Sequence, residues 1–133
     1  MRRILIALTI LLLPLGAARA QEDGPRGVIS GQLQAFNDGD IARAWGFASE
    51  GIRGLFGTQR NFGTMVQRGY PMVWNNEGAR FAGTREAEGA LYQRVLVEDA
   101  QGRLHLLEYR MIETPEGWRI DGVALLPAPD LAV

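Results

Sequence analysis

Residues 91–121 read LYQRVLVEDAQGRLHLLEYRMIETPEGWRID, and the alternation in this stretch decides the fold. One set of alternate positions is mainly apolar and the other carries the charges, the period of a half-buried strand, and the run is broken at Ala100-Gln101-Gly102 and again at Thr114-Pro115-Glu116-Gly117. Residues directly opposite in a hairpin share a face, so a register slipped by one residue turns every side chain over. A three-residue loop at Ala100–Gly102 pairs Val95 with Leu107, Leu91 with Met111 and Arg94 with Glu108. A four-residue loop at Thr114–Gly117 pairs Met111 with Ile120 and Arg110 with Asp121. Each register sets apolar against apolar on one face and opposite charges on the other. The two agree, because Leu107, Tyr109 and Met111 fall on the apolar face in both.

Working outward, the same signals predict four strands, Arg80–Glu86, Leu91–Asp99, Arg103–Glu113 and Trp118–Leu126, with Glu88-Gly89 as the first turn. The inner face is Leu91, Gln93, Val95, Val97, His105, Leu107, Tyr109, Met111, Trp118 and Ile120, whose polar members are Gln93, His105 and Tyr109. Beyond Gly122 the apolar phase slips, since Val123 and Leu125 are out of step with Trp118 and Ile120; a bulge that bends the last strand accounts for this. The outer face carries Tyr92, Leu96, Leu104 and Leu106 among its charges.

Upstream of about residue 75 the spacing is helical. Pro25 opens a helix with Ile29, Leu33 and Phe36 on one stripe, and Asn37-Asp38-Gly39 breaks it. Asp40 caps a second helix bearing Ile41, Ala44, Trp45 and Ala48, which Ser49-Glu50-Gly51 ends. A shorter piece carries Ile52, Leu55 and Phe56. Asn61 caps another, with Phe62, Met65 and Val66, stopped by Gly69. The segment Gly69–Trp74 has no clean period and reads as a loop. The fold class is therefore α+β: N-terminal helices packed on a curved four-stranded antiparallel meander.

Residues 1–20, MRRILIALTILLLPLGAARA, have a basic start, a twelve-residue apolar core from Ile4 to Leu15 and a small-x-small end at Ala18-Arg19-Ala20. This is the pattern of a Sec-type secretory signal cleaved between Ala20 and Gln21. Its core falls short of the roughly 20 residues a membrane span needs, so no membrane insertion is expected after cleavage. The protein is expected to be periplasmic or secreted, as one domain over residues 21–133 with an ordered core at about 26–127. With no cysteine in the chain, a lipid anchor on that residue, disulfides, thiolate nucleophiles and cysteine-ligated metal are excluded. All 14 basic residues are arginine, which excludes lysine Schiff bases. Past residue 20, 11 arginines face 15 acids, a net charge of −4, and the arginines are dispersed; nucleic acid is not an expected partner.

Two helices, a third short one and a curved antiparallel sheet resemble the cone-shaped domains of the nuclear-transport-factor-2-like (SnoaL-like, cystatin-like) superfamily. Val28–Asp40 is similar to that superfamily's opening, and Gly117–Val123 to its closing strand. More specifically, residues 26–127 resemble a bacterial exported family, domain of unknown function 4864. The resemblance is carried by Gln32–Phe36, Ala44–Ser49, Met65–Trp74 and Glu108–Trp118. It implies a cone-shaped α+β fold and brings no activity with it, since the superfamily holds isomerases, dehydratases, hydrolases and binding domains.

Three functional readings follow. The first is a small-molecule-binding or interaction module with a pocket between helices and sheet. It takes a small apolar or aromatic ligand against Gln93, His105, Tyr109, Tyr70, Trp74 and Trp45, with no cofactor and no catalytic residue. Trp45 also fits the core stripe of its helix, whereas Tyr70 and Trp74 lie on the aperiodic segment, where binding is commoner than packing. The second is an isomerase or dehydratase with His105 as general base and Tyr109 as hydrogen-bond donor, which requires the two to meet in one cavity. The acids offer no base, for Asp40 is read as a cap and Asp121 as the outer-face partner of Arg110. The third is a homodimer or partner-binding domain using the outer sheet face. Ser30 and Ser49 lack a nucleophile elbow. One histidine among scattered carboxylates, with Asp38-Gly39-Asp40 too short for a calcium loop, gives no metal site.

Overall fold

A computed structural model describes residues 24–127; the expected signal sequence and the expected cleavage between Ala20 and Gln21 lie outside the described residues. Among the described residues five helices precede the sheet: α1 (Pro25–Asn37), α2 (Ile41–Gly46), α3 (Glu50–Phe56), α4 (Gln59–Gly69) and α5 (Pro71–Trp74). Proline sits at the start of α1, where its missing N–H costs nothing. Val28, Ile29, Gln32, Leu33, Ala35 and Phe36 form the buried face of this helix. A Cβ at Gly31 would come within 2.7 Å of the Phe47 ring, so glycine there lets the segment after α2 seat itself against α1. Asp40 caps α2 by accepting from the Arg43 N–H at 3.0 Å. None of the helices among the described residues is long and apolar enough to cross a membrane.

Three local expectations are corrected. Ser49 does not end α2; it begins α3, its Oγ accepting from the Ile52 N–H at 3.2 Å. The cap of α4 is Thr58, whose Oγ1 accepts from the Asn61 N–H at 3.1 Å, and Asn61 lies inside the first turn. Gly69–Trp74 is not a loop, because Pro71–Trp74 makes a turn of helix that buries Met72 and Val73.

The sheet is a single antiparallel meander, β1 (Ala79–Ala87), β2 (Ala90–Glu98), β3 (Leu104–Thr114) and β4 (Gly117–Leu125). Glu88 and Gly89 both take positive φ in the β1–β2 turn, as a two-residue hairpin loop of the mirror-image type requires. The β2–β3 register is the expected one, Val95 opposite Leu107, Leu91 opposite Met111 and Arg94 opposite Glu108. Met111 also faces Ile120, but Arg110 faces Gly122 because Asp121 is an extra residue in β4. The expected bulge therefore sits at Asp121, one residue before Gly122, and it returns Val123 and Leu125 to the inner face. Thr114 pairs with Gly117, which leaves a loop of two residues in place of four. A second bulge sets Ala82 and Gly83 of β1 against Arg94.

Helices cover the inner face, where Val95, Val97, Leu107, Tyr109, Met111 and Ile120 join the buried residues of α1, α4 and α5 in one core. On the outer face the Glu108 carboxylate is buried between Arg85 (2.8 Å) and Arg94 (3.2 Å). Arg85, and more weakly Arg94, hold that carboxyl below the usual carboxylate range against the opposing effect of burial. Arg85 also lies 4.0 Å from the centre of the Tyr92 ring, whose hydroxyl accepts from Arg110 Nε. Arg110 in turn pairs with Asp121. The other apolar outer residues, Leu96 and Leu106, are half-buried, and Leu104 is 38 % exposed.

Candidate functional site

Between the helices and the sheet lies a cavity of about 220 Å³. Its floor is β3 and β4, through Tyr109, Ile120, Gly122 and Val123, and Gln32 and Phe36 of α1 form one side. Phe62, Met65 and Val66 of α4, with Tyr70 and Val73, form the other. Helix α3 is the roof, contributing Ile52, Leu55 and Phe56. That helix has no fully buried residue, and Leu55, although it lines the cavity, is 73 % exposed. The mouth is therefore at Leu55. Ser49 moors the roof: its N–H donates to the Ile120 carbonyl at 2.8 Å and its hydroxyl to Asp121 Oδ1 at 2.6 Å.

The wall carries no charged side chain. Gln32 directs Nε2 to the Ala44 carbonyl (3.1 Å), and Tyr70 donates its hydroxyl to the Val123 carbonyl (3.1 Å). Tyr109 is different. The residue is 1 % exposed, and its hydroxyl is the only buried side-chain polar atom among the described residues with no hydrogen-bond partner. Burial, and after it the nearby Tyr70, push this phenol well above its ordinary range, so it remains a neutral O–H at physiological pH. An unpaired buried hydroxyl costs roughly 1–3 kcal/mol. Tyr109→Phe is accordingly expected to raise the unfolding free energy by about 1 kcal/mol in urea titration; a loss of stability would mean that the hydroxyl has a partner after all.

The six residues expected to contact a ligand are divided. Tyr109 and Tyr70 line the cavity; Gln93, His105, Trp45 and Trp74 do not. Gln93 is buried beside the β1 bulge, where its Nε2 donates to the Ala82 and Arg94 carbonyls, both at 2.9 Å, a structural task created by the bulge. His105 stands at the far end of β3 with Nε2 2.8 Å from Asp99 Oδ2. Asp99 also accepts from the Gln101 and Arg103 amides, and His105 followed by Arg103 holds its carboxyl below the ordinary range. The pair braces the β2–β3 turn, four residues along the strand from Tyr109, or roughly 13 Å. His105 and Tyr109 therefore do not meet in one cavity.

Trp45 and Trp74 stand behind the wall. The indole of Trp45 meets Phe62 edge-on at 5.5 Å and that of Trp74 lies 5.9 Å from Phe36, so both support rings that do face the cavity. The sequence reading missed Ile52, Leu55, Phe56, Met65, Val66 and Val123 as lining residues. Their signal was present as the apolar stripes of α3 and α4, two short helices that sit over the end of the sheet where β4 bends. No group of three or more His, Cys, Asp and Glu side chains is placed to hold a metal among the described residues.

Fold and cavity together define an α+β domain with helices over one face of an open antiparallel meander. The chain belongs to the family described as domain of unknown function (DUF4864), whose model matches residues 18–133. No curated protein and no solved structure matches the chain.

Proposed function

We propose that this protein is an exported binding module that holds a small apolar molecule in the cavity beneath α3. The observation that carries the reading is a cavity with an uncharged, mostly apolar wall, lined in part by Tyr109, the residue whose buried hydroxyl lacks a partner. A buried polar atom without a partner is rare in native proteins and calls for an explanation; a ligand that supplies the missing hydrogen bond is one. Binding rather than turnover fits the lining, which includes neither carboxylate nor imidazole to move a proton. Export is supported by the signal-like first twenty residues.

Titration with ethylbenzene, followed by methyl NMR, tests the reading. Saturable shifts are expected at Ile52, Leu55, Val66, Val73, Ile120 and Val123, with Val97 at the far end of the sheet unmoved. Shifts that spread evenly over the core, or that are absent up to the solubility limit both for ethylbenzene and for its polar analogues, would overturn it.

A further inference from the structure

We infer that the ligand is a neutral, compact molecule, a single ring or its equivalent in bulk, with one hydrogen-bond acceptor that enters first and docks on Tyr109. The inference rests on the proposed binding role and adds the chemical class. Size comes from the cavity: about 220 Å³ lies between the roughly 150 Å³ that holds benzene and the roughly 300 Å³ at which drug-sized pockets begin. Neutrality comes from the wall, which has no arginine to meet a carboxylate or phosphate and no acid to meet an amine; an ion placed there would lose its hydration without compensation. The acceptor comes from Tyr109, whose raised pKa keeps it an O–H donor. Orientation follows from the two ends of the cavity. Tyr109 is 1 % exposed on the floor, whereas Leu55 of the roof is 73 % exposed, so the polar end of the guest points inward and its apolar end outward.

Three probes of nearly one shape separate the terms. Acetophenone has the acceptor, ethylbenzene replaces that carbonyl by a methylene, and benzoate carries a charge. Calorimetric or NMR affinities are measured on the wild-type protein and on Tyr109→Phe, and the ratio of acetophenone to ethylbenzene affinity is compared between them. The ratio is expected to fall about tenfold in the variant, the size of one hydrogen bond, and benzoate is expected to bind at least about a hundredfold more weakly than acetophenone. An unchanged ratio, or benzoate binding as well as acetophenone, overturns the ligand class while ethylbenzene saturation leaves the binding role standing. Failure of all three probes on the wild-type protein removes the binding role, and the ligand class with it.

Discussion

Asn76→Ala is expected to lower the unfolding free energy by about 3 kcal/mol, although the residue touches neither the cavity nor the outer face. Asn76 is 4 % exposed and sits where the last helix gives way to β1. Its Nδ2 donates to the Val73 carbonyl at 2.8 Å and the Leu33 carbonyl at 3.0 Å. Its Oδ1 accepts from the Gly78 N–H at 3.2 Å and from Asn37 Nδ2 at 3.3 Å. One amide thus joins α1, α5 and the entry to the sheet. Truncation strands buried backbone groups, and each stranded group costs roughly 1–3 kcal/mol. Urea unfolding should show a lower midpoint with an unchanged slope. A midpoint within experimental error of wild type would show that the helix–sheet junction relaxes around the loss.

The second large effect belongs to Leu107→Ala, expected to cost about 3–4 kcal/mol. Leu107 is fully buried at the centre of β3, with Val95 opposite on one side and Leu125 on the other. Its neighbours lie on three antiparallel strands whose registers are pinned by the two turns, so the space left by three carbons cannot be closed by sliding one strand. The loss therefore combines lost burial with a residual cavity. Leu125, 53 % exposed at the end of β4, supplies the internal comparison: the same substitution there should cost under half as much. Equal costs would place the core elsewhere than on β3.

These two residues also mark what could be read from the sequence. Leu107 was legible because strand period and cross-strand charge are local facts: Arg94 opposite Glu108 and Val95 opposite Leu107 emerge from alternation and loop length alone. The bulge at Asp121 was half legible. The phase slip announces that an extra residue exists, but which residue it is depends on the Ser49 hydroxyl and the Arg110 guanidinium, one of which comes from 72 positions away. Asn76 was invisible, since nothing local in Asn75-Asn76-Glu77-Gly78 announces a buried amide, and two of its partners, Leu33 and Asn37, come from α1. Of the side chains expected around a ligand, Tyr109 and Tyr70 line the cavity, and His105, Gln93, Trp45 and Trp74 do not. Strand periodicity assigns a face, not a position along it, and only the placement of α3 and α4 over the bent end of β4 decides which inner-face side chains look into space and which into packing.

The edges of the sheet have a bearing on aggregation. A four-stranded open meander exposes two rows of unpaired backbone groups, a template on which another chain can add strands. On β4 that row is interrupted at Ile120, whose N–H donates to the Phe47 carbonyl and whose carbonyl accepts from the Ser49 N–H, both at 2.8 Å; this short parallel bridge is the same mooring that holds the roof of the cavity. On β1 the row is broken by the Ala82-Gly83 bulge and flanked by Arg80 and Arg85. A neighbouring strand finds only short, mismatched lengths of ladder on either side. The bend in β4 that borders the cavity on one face therefore also shortens the ladder open to an added strand at the sheet's edge.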